Sequence, residues 1–243
     1  MPRFFVSSEN FKQNSVEITG DDAWHIARSL RMAVGESIIA CDKDGVEYDC
    51  VLKSITDDLS VAEICDSRKS ETESPVRITV YQAFPKGDKM DTIVQKAVEM
   101  GVHEIVPFFS DRCISRPDPH TFQKKCSRWQ RIALEAAKQC GRGMVPEVKE
   151  PVSFAQMLEL ASKASVGCFC YEGEGTVSIK EVLDAARDVK EISVVIGSEG
   201  GFTEKEAAEA SGTLTLVGLG KRILRCESAP GFALACIAYK FEL

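Results

Sequence analysis

The stretch EISVVIGSEGGFTEKEAAEA, residues 191–210, contains a strand, a glycine-rich loop and a helix in succession. Residues 191–196 are rich in β-branched side chains and end at Gly197, which predicts a buried strand. The loop that follows has further glycines at positions 200 and 201. Thr203 and Glu206 have the spacing of a capping box, so we predict a helix over residues 203–210. This succession is the repeating unit of an α/β domain.

The same alternation of strand and helix patterns extends on both sides of this stretch. Predicted strands cover residues 76–84, 104–108, 166–171 and 214–217, and predicted helices cover 90–100, 122–140, 153–161, 179–187 and 230–243. Glycines at 101 and 141 end two of these helices. The alternation predicts an α/β domain with a largely parallel sheet, which we assign to residues 74–243.

The first 70 residues have a different pattern. Apolar and polar residues alternate from Val46 to Lys53, which is the period of a half-buried strand. Further short strands are predicted at residues 3–6, 16–18, 36–40 and 60–65, with one helix at 21–30. This combination predicts a small β-barrel domain over residues 1–70. Residues 66–75 contain no large apolar residue and are predicted to form the linker to the second domain.

Composition excludes several classes of protein. Of the 243 residues, 44% are hydrophobic and 28% are charged, which is typical of folded domains and not of a disordered chain. No apolar run approaches the ~20 residues of a membrane helix, and Glu9 interrupts the N-terminus before a signal sequence could form. We therefore expect a cytoplasmic protein with reduced cysteines. The histidines and cysteines lack the paired spacing of a metal site, so no metal is expected.

Positive charge is concentrated in one segment, although the net charge of the chain is −7. Between Arg112 and Arg142 there are eight basic and two acidic residues, so this segment carries +6. Such a concentration can attract phosphate groups despite the acidity of the whole chain. Charge by itself leaves an RNA-binding surface and a solvated helix face equally open.

Glycine-rich loops follow three predicted strands in the last third of the chain, at residues 171–175, 196–202 and 218–225. In open α/β sheets, ligands bind at the carboxyl ends of the strands, where these loops lie. The spacings exclude the Gly-x-Gly-x-x-Gly fingerprint of dinucleotide enzymes, because Ile223 and Ser178 occupy the third glycine positions, and no Gly-Lys-Ser/Thr phosphate loop is present. Converging backbone amides and carbonyls suit a ligand with an adenine edge and an amino-acid tail.

The segments VIGSEGGF (195–202) and LGKRILRCESA (219–229) closely resemble the RsmE family of ribosomal RNA methyltransferases, of the SPOUT superfamily. The resemblance covers essentially the whole chain in order. It extends to residues 3–6, 25–31, 86–90, 95–102 and 135–142. Two departures from the family pattern are Ser198, where proline is common, and Cys226-Glu227-Ser228, where Thr-Glu-Thr is common. Cys226 lacks the threonine hydroxyl that is common at this position, which the resemblance would place near a bound cofactor. Ser198 leaves Glu199 and the following glycines in place.

The resemblance implies a fold, a cofactor and an assembly. It implies a C-terminal trefoil-knotted α/β domain, a PUA-like N-terminal barrel that binds RNA, and a homodimer paired through the C-terminal helix. S-adenosylmethionine is the implied methyl donor, and it needs no metal. The residues expected to bind this cofactor are Tyr171, Glu172, Gly197, Glu199, Gly200, Gly201, Leu216, Gly218, Gly220, Ile223, Leu224 and Ala229.

The implied reaction is methylation of N3 of a uridine in 16S ribosomal RNA on the small ribosomal subunit, uridine 1498 in reference numbering. N3 must lose its proton, so the site needs a general base or cations that stabilise the uracil anion. The catalytic residues expected are Arg225, which would stabilise that anion, and Glu199. The structural alternatives are an Arg225–Glu227 ion pair and a solvated Glu199. RNA contacts are expected from Arg3, Arg28, Arg31, Arg112, Arg116, Arg128 and Arg142.

A second class of function is left open by the sequence. A non-catalytic RNA-binding or ribosome-assembly protein could retain the knotted fold as a scaffold. The intact glycine loops favour the enzyme, because a scaffold has little use for three open cofactor loops.

Overall fold

A computed structural model of the chain describes residues 1–116 and 118–243, and at position 119 it describes the backbone alone. Contacts within the chain define two units. The first comprises Met1–Glu73 and Ala137–Val145, and the second comprises Ser74–Ala136 and Pro146–Leu243. Each unit is built around its own β-sheet.

The sheet of the first unit is mainly antiparallel. Its strands are β1 (Arg3–Phe5), β2 (Ser15–Thr19), β3 (Ser37–Cys41), β4 (Val46–Ile55) and β5 (Leu59–Lys69). They are ordered β1-β3-β4-β5-β2, with β1 parallel to β3 and the other neighbours antiparallel. Helix α1 (Asp21–Trp24) and a π-helical turn (His25–Ser29) follow β2. Alternate side chains of the strands, including Phe4, Ile18, Ile38 and Leu52, form the core of this unit.

The predicted linker begins too early in the sequence. Residues 66–69 continue strand β5, where Ser67 pairs with Tyr48 and Lys69 pairs with Val46. This end of the strand has no apolar signal because cross-strand ion pairs replace apolar packing there. Arg68, for example, bonds to Asp49 and to Glu47 on β4.

Strands and helices alternate along the second unit, as predicted. Its strands are β6 (Arg77–Ala83), β7 (Glu104–Phe109), β8 (Glu147–Val148), β9 (Val152–Ser153), β10 (Val166–Cys170), β11 (Val177–Ser178), β12 (Glu191–Ile196) and β13 (Thr215–Gly218). Its helices are α2 (Lys89–Glu99), α3 (Pro119–Cys140), α4 (Phe154–Ala161), α5 (Ile179–Ala185), α6 (Glu204–Ala210) and α7 (Ala229–Phe241). The last four residues of α3 group with the first unit. All strand pairs described in this sheet are parallel, which confirms the predicted α/β fold.

The parallel sheet has the order β11-β13-β10-β12-β6-β7-β8, and β9 also pairs with β7. Strand β12 lies between β10 and β6, and its residues from Ile192 to Ile196 are buried, as its β-branched sequence predicts. The capping box at the start of α6 is confirmed, because the Thr203 side chain accepts from the Glu206 backbone and the Glu206 side chain accepts from Thr203. Parallel strands end at the same edge of a sheet, so the loops after β6, β10, β12 and β13 share that edge.

Candidate active site

A cavity of about 350 Å³ lies at the carboxyl edge of the parallel sheet. Its walls come from the loops that follow β10, β12 and β13, so the three glycine-rich loops converge as their positions after parallel strands predict. The predicted site residues that line it are Tyr171, Glu172, Gly197, Glu199, Gly201, Gly218, Gly220, Ile223, Leu224, Arg225 and Ala229.

Two of the residues expected to bind the cofactor, Gly200 and Leu216, are absent from the cavity lining in the described part of the chain. At Gly200 an added Cβ would lie 3.1 Å from the Cβ of Arg112, and the Gly200 carbonyl accepts a 2.7 Å hydrogen bond from that arginine. This glycine therefore permits close packing against the Arg112 side chain. Leu216 pairs with Phe169 inside the sheet, two residues before the loop that begins at Gly218.

Two glycines of the cavity require a backbone that other residues rarely adopt. Gly201 has a φ of +63°, and a Cβ there would collide with the carboxylate of Glu172. Gly220 has a φ of +105°, and a Cβ there would meet no described protein atom within 4 Å. The missing side chain at Gly220 thus leaves space that belongs to the cavity.

Lys89, which was not among the predicted site residues, links the loops after β12 and β13 to the start of α2. Its Nζ lies 2.9 Å from Oε1 of Glu199 and 3.5 Å from Oε2 of Glu227. The backbone N–H of Lys86 also donates to Glu199, at 3.0 Å. Lys89 is the first residue of α2, where the helix dipole disfavours a cation, so the two carboxylates compensate for its position. The signal that could have identified it is its place after β6, at the edge where the glycine loops lie.

The ion pair between Lys89 and Glu199 is fully charged at neutral pH. Burial by itself raises the pKa of Glu199, but the hydrogen bond from Lys89 and the backbone donors outweigh it and hold that pKa below its usual range. The hydrogen bond to Glu199 in turn raises the pKa of Lys89. A carboxylate with a lowered pKa is a weak proton acceptor, so Glu199 is poorly suited to act as a general base.

Cys226, one of the departures from the family pattern, lies beside this ion pair. Burial raises the pKa of the Cys226 thiol to about 12, so the thiol stays neutral. Its Sγ donates to Oε2 of Glu227 at 3.2 Å, in the direction in which a hydroxyl would donate. The cysteine thus retains a weak donor to Glu227.

Arg225 is exposed on the cavity wall, and its guanidinium has no hydrogen-bond or ion-pair acceptor among the described residues. Glu227, its predicted structural partner, is 3.5 Å from Lys89 instead. The alternative of an Arg225–Glu227 ion pair is therefore wrong. The guanidinium is available to a ligand in the cavity.

Two of the seven arginines expected to bind RNA serve the fold of the first unit. The Arg3 side chain is 10% exposed and donates to Glu47 at 2.7 Å. The Arg142 side chain is 4% exposed and forms an ion pair with Glu73 at 2.5 Å. Neither guanidinium is presented to a phosphate at the surface, so both expectations are corrected. These two arginines differ from the exposed ones because each is buried with an acidic partner. That burial could not be predicted from the sequence.

The other five arginines are exposed. Arg28 pairs with Asp57, and Arg128 pairs with Asp91. Arg112 donates to the Gly200 carbonyl, and Arg116 donates to the Ser110 carbonyl at 2.9 Å. Arg31 has no side-chain acceptor within the ranges that the structure describes. Much of the charge of the 112–142 segment is thus already engaged within the chain.

Family models match both units of the chain. A model described as an RNA methyltransferase domain matches residues 72–238, and one described as an RNA methyltransferase PUA domain matches residues 18–65. The first match spans more than half of the chain and contains every loop of the cavity. The second match confirms the prediction of a PUA-like unit before the α/β unit.

Full-length relatives agree with these matches. The ribosomal RNA small subunit methyltransferase E of Bacillus subtilis is 35% identical over 255 residues, covering 100% of this chain and 98% of that protein. The chain belongs to this family. The predicted resemblance to the RsmE family is thereby confirmed.

Solved structures of family members have the same fold. The ribosomal RNA small subunit methyltransferase E of Neisseria gonorrhoeae, bound to S-adenosylmethionine, matches with a TM-score of 0.85 and 32% identity, covering 98% of this chain and 97% of that one. A protein of Legionella pneumophila, in complex with the same cofactor, matches with a TM-score of 0.86 and 28% identity over 98% and 96% of the two chains. The trefoil knot stays a prediction.

Within the described residues, no group of three histidine, cysteine, aspartate or glutamate side chains is placed to hold a metal ion. In the same ranges, none of the helices has both the length and the hydropathy of a membrane-spanning segment.

Proposed function

We propose that this chain transfers the methyl group of S-adenosylmethionine to N3 of a uridine in 16S ribosomal RNA of the small subunit, uridine 1498 in reference numbering. The observation that carries the proposal is the cavity at the carboxyl edge of the sheet, whose loops all lie within residues 72–238, which the RNA methyltransferase model matches. Relatives named for small subunit ribosomal RNA methylation support the choice of substrate.

The residues of the cavity fit S-adenosylmethionine. A volume of about 350 Å³ lies in the range of small-ligand pockets. The bare backbone at Gly220 allows a close approach of the adenosine. Glu172, Glu199 and Glu227 line the same cavity, and their carboxylates suit a ligand that carries an ammonium and a sulfonium. When bound, this cofactor supplies an electrophilic methyl group.

The chain's own residues favour stabilisation of the uracil anion over general-base catalysis. Glu199 is held as a weak base by Lys89, so we assign it no general-base step, and the N3 proton is released to solvent. Arg225 is then the residue that stabilises the negative charge spread over N3 and the uracil oxygens, because its guanidinium lines the cavity without an internal acceptor. Glu199 is a positioning residue, which holds Lys89 and the loop after β12. Methylation requires an unpaired or flipped uridine, since the base must enter a cavity.

The proposal includes a homodimer that pairs through α7. This helix leaves Phe232 38% exposed and Tyr239 78% exposed, and Leu243 beyond its end is 97% exposed. Exposed apolar side chains along one terminal helix support a partner surface there. Light scattering at micromolar concentration tests this part of the proposal, and a monomer would contradict it.

The cofactor site is tested with two glycine variants. Gly220→Ala adds a methyl group to open cavity space at a left-handed backbone position. Gly175→Ala is the matched control, because Gly175 also has a positive φ of +80°, with no described atom within 4 Å of an added Cβ, and it is not part of the cavity lining as described. We expect calorimetry to show at least about tenfold weaker S-adenosylmethionine binding in Gly220→Ala and unchanged binding in the control. Equal affinities in all three proteins would place the cofactor elsewhere.

The reaction is tested by tritium transfer to small ribosomal subunits from a strain that lacks the enzyme, followed by mapping of the methylated nucleotide. We expect transfer to N3 of one uridine, and faster transfer to subunits than to free 16S RNA or to a short hairpin. A wild-type protein that binds the RNA without binding S-adenosylmethionine would favour the scaffold function instead.

A further inference from the structure

The loop after β13 presents two cations that have no function in the proposed chemistry. Lys221 and Arg222 line the mouth of the cavity and are exposed. Among the described residues neither side chain has a hydrogen-bond or ion-pair acceptor. We call these two residues the rim pair. In a chain with 37 acidic and 30 basic residues, two adjacent cations without an acidic partner are an uncompensated charge.

Three of the arginines expected to bind RNA around α3 already have acceptors within the chain. Arg128 is paired with Asp91, and Arg112 and Arg116 donate to backbone carbonyls. A guanidinium that already bonds within the chain must exchange or share its acceptor before it binds a phosphate. The rim pair needs no such exchange, so its full charge is available at the cavity mouth.

The cavity lining carries three carboxylates, Glu172, Glu199 and Glu227, and Lys89 is already paired with the last two of them. Lys221 and Arg222 are exposed lining residues, at the part of the cavity that is open to solvent. Carboxylates repel a phosphodiester group, so a nucleotide can place its base in the cavity only if its phosphates stay outside. The mouth is the place where those phosphates need cations.

Ile223, next to the rim pair, is 88% exposed although it also lines the cavity. An isoleucine this exposed between cations is suited to contact the apolar face of a base or ribose while the cations hold the phosphates. Its exposure differs from the burial expected for a purely structural isoleucine at this position.

We propose that Lys221 and Arg222 bind the phosphates that flank the target nucleotide of the substrate RNA, and that Ile223 packs against that nucleotide or its neighbour. The inference rests on the proposed function, because it names the part of this chain that holds the methylated RNA. It moves the main phosphate contacts from α3 to the cavity mouth.

The test is the double variant Lys221→Gln/Arg222→Gln in the full-length protein. The matched control is Lys124→Gln/Arg131→Gln, which removes two exposed cations of α3 that have no acceptor among the described residues. Binding of a 16S RNA transcript is measured between about 50 and about 200 mM salt, together with S-adenosylmethionine affinity and the transfer kinetics.

We expect the rim variant to raise the RNA KM at least about tenfold and to reduce the slope of log affinity against log salt by about two, one for each lost phosphate contact. S-adenosylmethionine affinity should be unchanged in both variants. The control should keep the salt slope of the wild type.

Three results would overturn the proposal. An equal loss of slope in the control would show generic attraction, and weaker cofactor binding in the rim variant would assign these residues to the cofactor. A wild-type salt slope and KM in the rim variant would show a solvated loop. Failure of the proposed function is recognised separately, because the wild-type protein would then not bind S-adenosylmethionine at all.

Discussion

The two sheets of this molecule handle charged side chains in opposite ways. In the antiparallel sheet, Glu47 is 4% exposed and its carboxylate accepts from Arg3 at 2.7 Å, Arg68 at 3.1 Å and Ser70 at 2.6 Å. At the carboxyl edge of the parallel sheet, Arg225 and its neighbours stand exposed without an acceptor in the described chain. Charges that are satisfied internally hold a fold together, whereas exposed charges without an internal acceptor are available to a ligand.

The strongest test of this contrast is Glu47→Ala. The substitution leaves the largely buried Arg3 guanidinium without its carboxylate, and removing one member of a buried pair costs about 3–5 kcal/mol. We expect the free energy of unfolding of the first unit, measured by urea denaturation, to fall by that order. Glu63→Gln is the control, because its pair with Lys53 is half exposed and is expected to contribute nothing measurable. An unchanged free energy of unfolding in Glu47→Ala would mean that the ion pair of Glu47 with Arg3 does not stabilise the antiparallel sheet.

Arg225→Gln should have the reverse effect. Loss of an exposed guanidinium without an internal partner should leave the free energy of unfolding unchanged within about 0.5 kcal/mol. Loss of the cation that stabilises the uracil anion should lower kcat about 100-fold. Arg225→Lys keeps the charge without the planar fork and should recover part of that rate. Single-turnover transfer kinetics separate the two effects, and an unstable variant with normal kcat would reverse the assignment.

We expect the smallest effect from Lys89→Gln. Lys89 is intermediate between Glu47 and Arg225, because it is paired within the chain but also lines the cavity. The pKa of Glu199 is lowered in the folded protein, so its stabilising contribution is present above the unfolded value of about 4.3 and disappears as the pH falls through the folded value. Without Lys89 the main cause of the lowering is gone and the folded pKa rises. The variant should therefore be slightly less stable than the wild type at neutral pH, and this difference should vanish on acidification.

Urea titrations at a series of pH values measure whether the free energies of unfolding of the two proteins become equal as the pH falls. Lys96→Gln, which removes the pair with Glu99 on the same helix, is the matched control. A difference between wild type and Lys89→Gln that stays constant down to about pH 3 would show that Lys89 does not control the ionisation of Glu199.

The fold was largely predictable because its signals are local. Strand β12 is a short run of β-branched residues, and the start of α6 is set by Thr203 and Glu206, three positions apart. The polar end of β5 was missed because its stability comes from ion pairs with β4, which a search for apolar alternation does not detect. The two-residue strands β8, β9 and β11 are likewise too short to carry a periodic signal.

The loops of the candidate site could be predicted from the sequence, but the pairing of its charged side chains could not. Glycine loops after parallel strands must share one edge, so their convergence follows from topology. The state of a charge depends on partners distant in sequence: Arg128 meets Asp91 across 37 positions, and Lys89 meets Glu199 across 110. Consequently the sequence could not separate the engaged arginines from the open rim pair, and it did not identify Lys89.

The position of β13 has a consequence for folding during translation. This strand lies between β10 and β11, both of which are synthesised before it. A nascent chain therefore cannot close its parallel sheet until residues 215–218 have left the ribosome, and α7 follows later still. The first unit also needs residues 137–145, so it is complete only after β6 and β7 of the second unit have been synthesised, and the loops of the cavity meet later still.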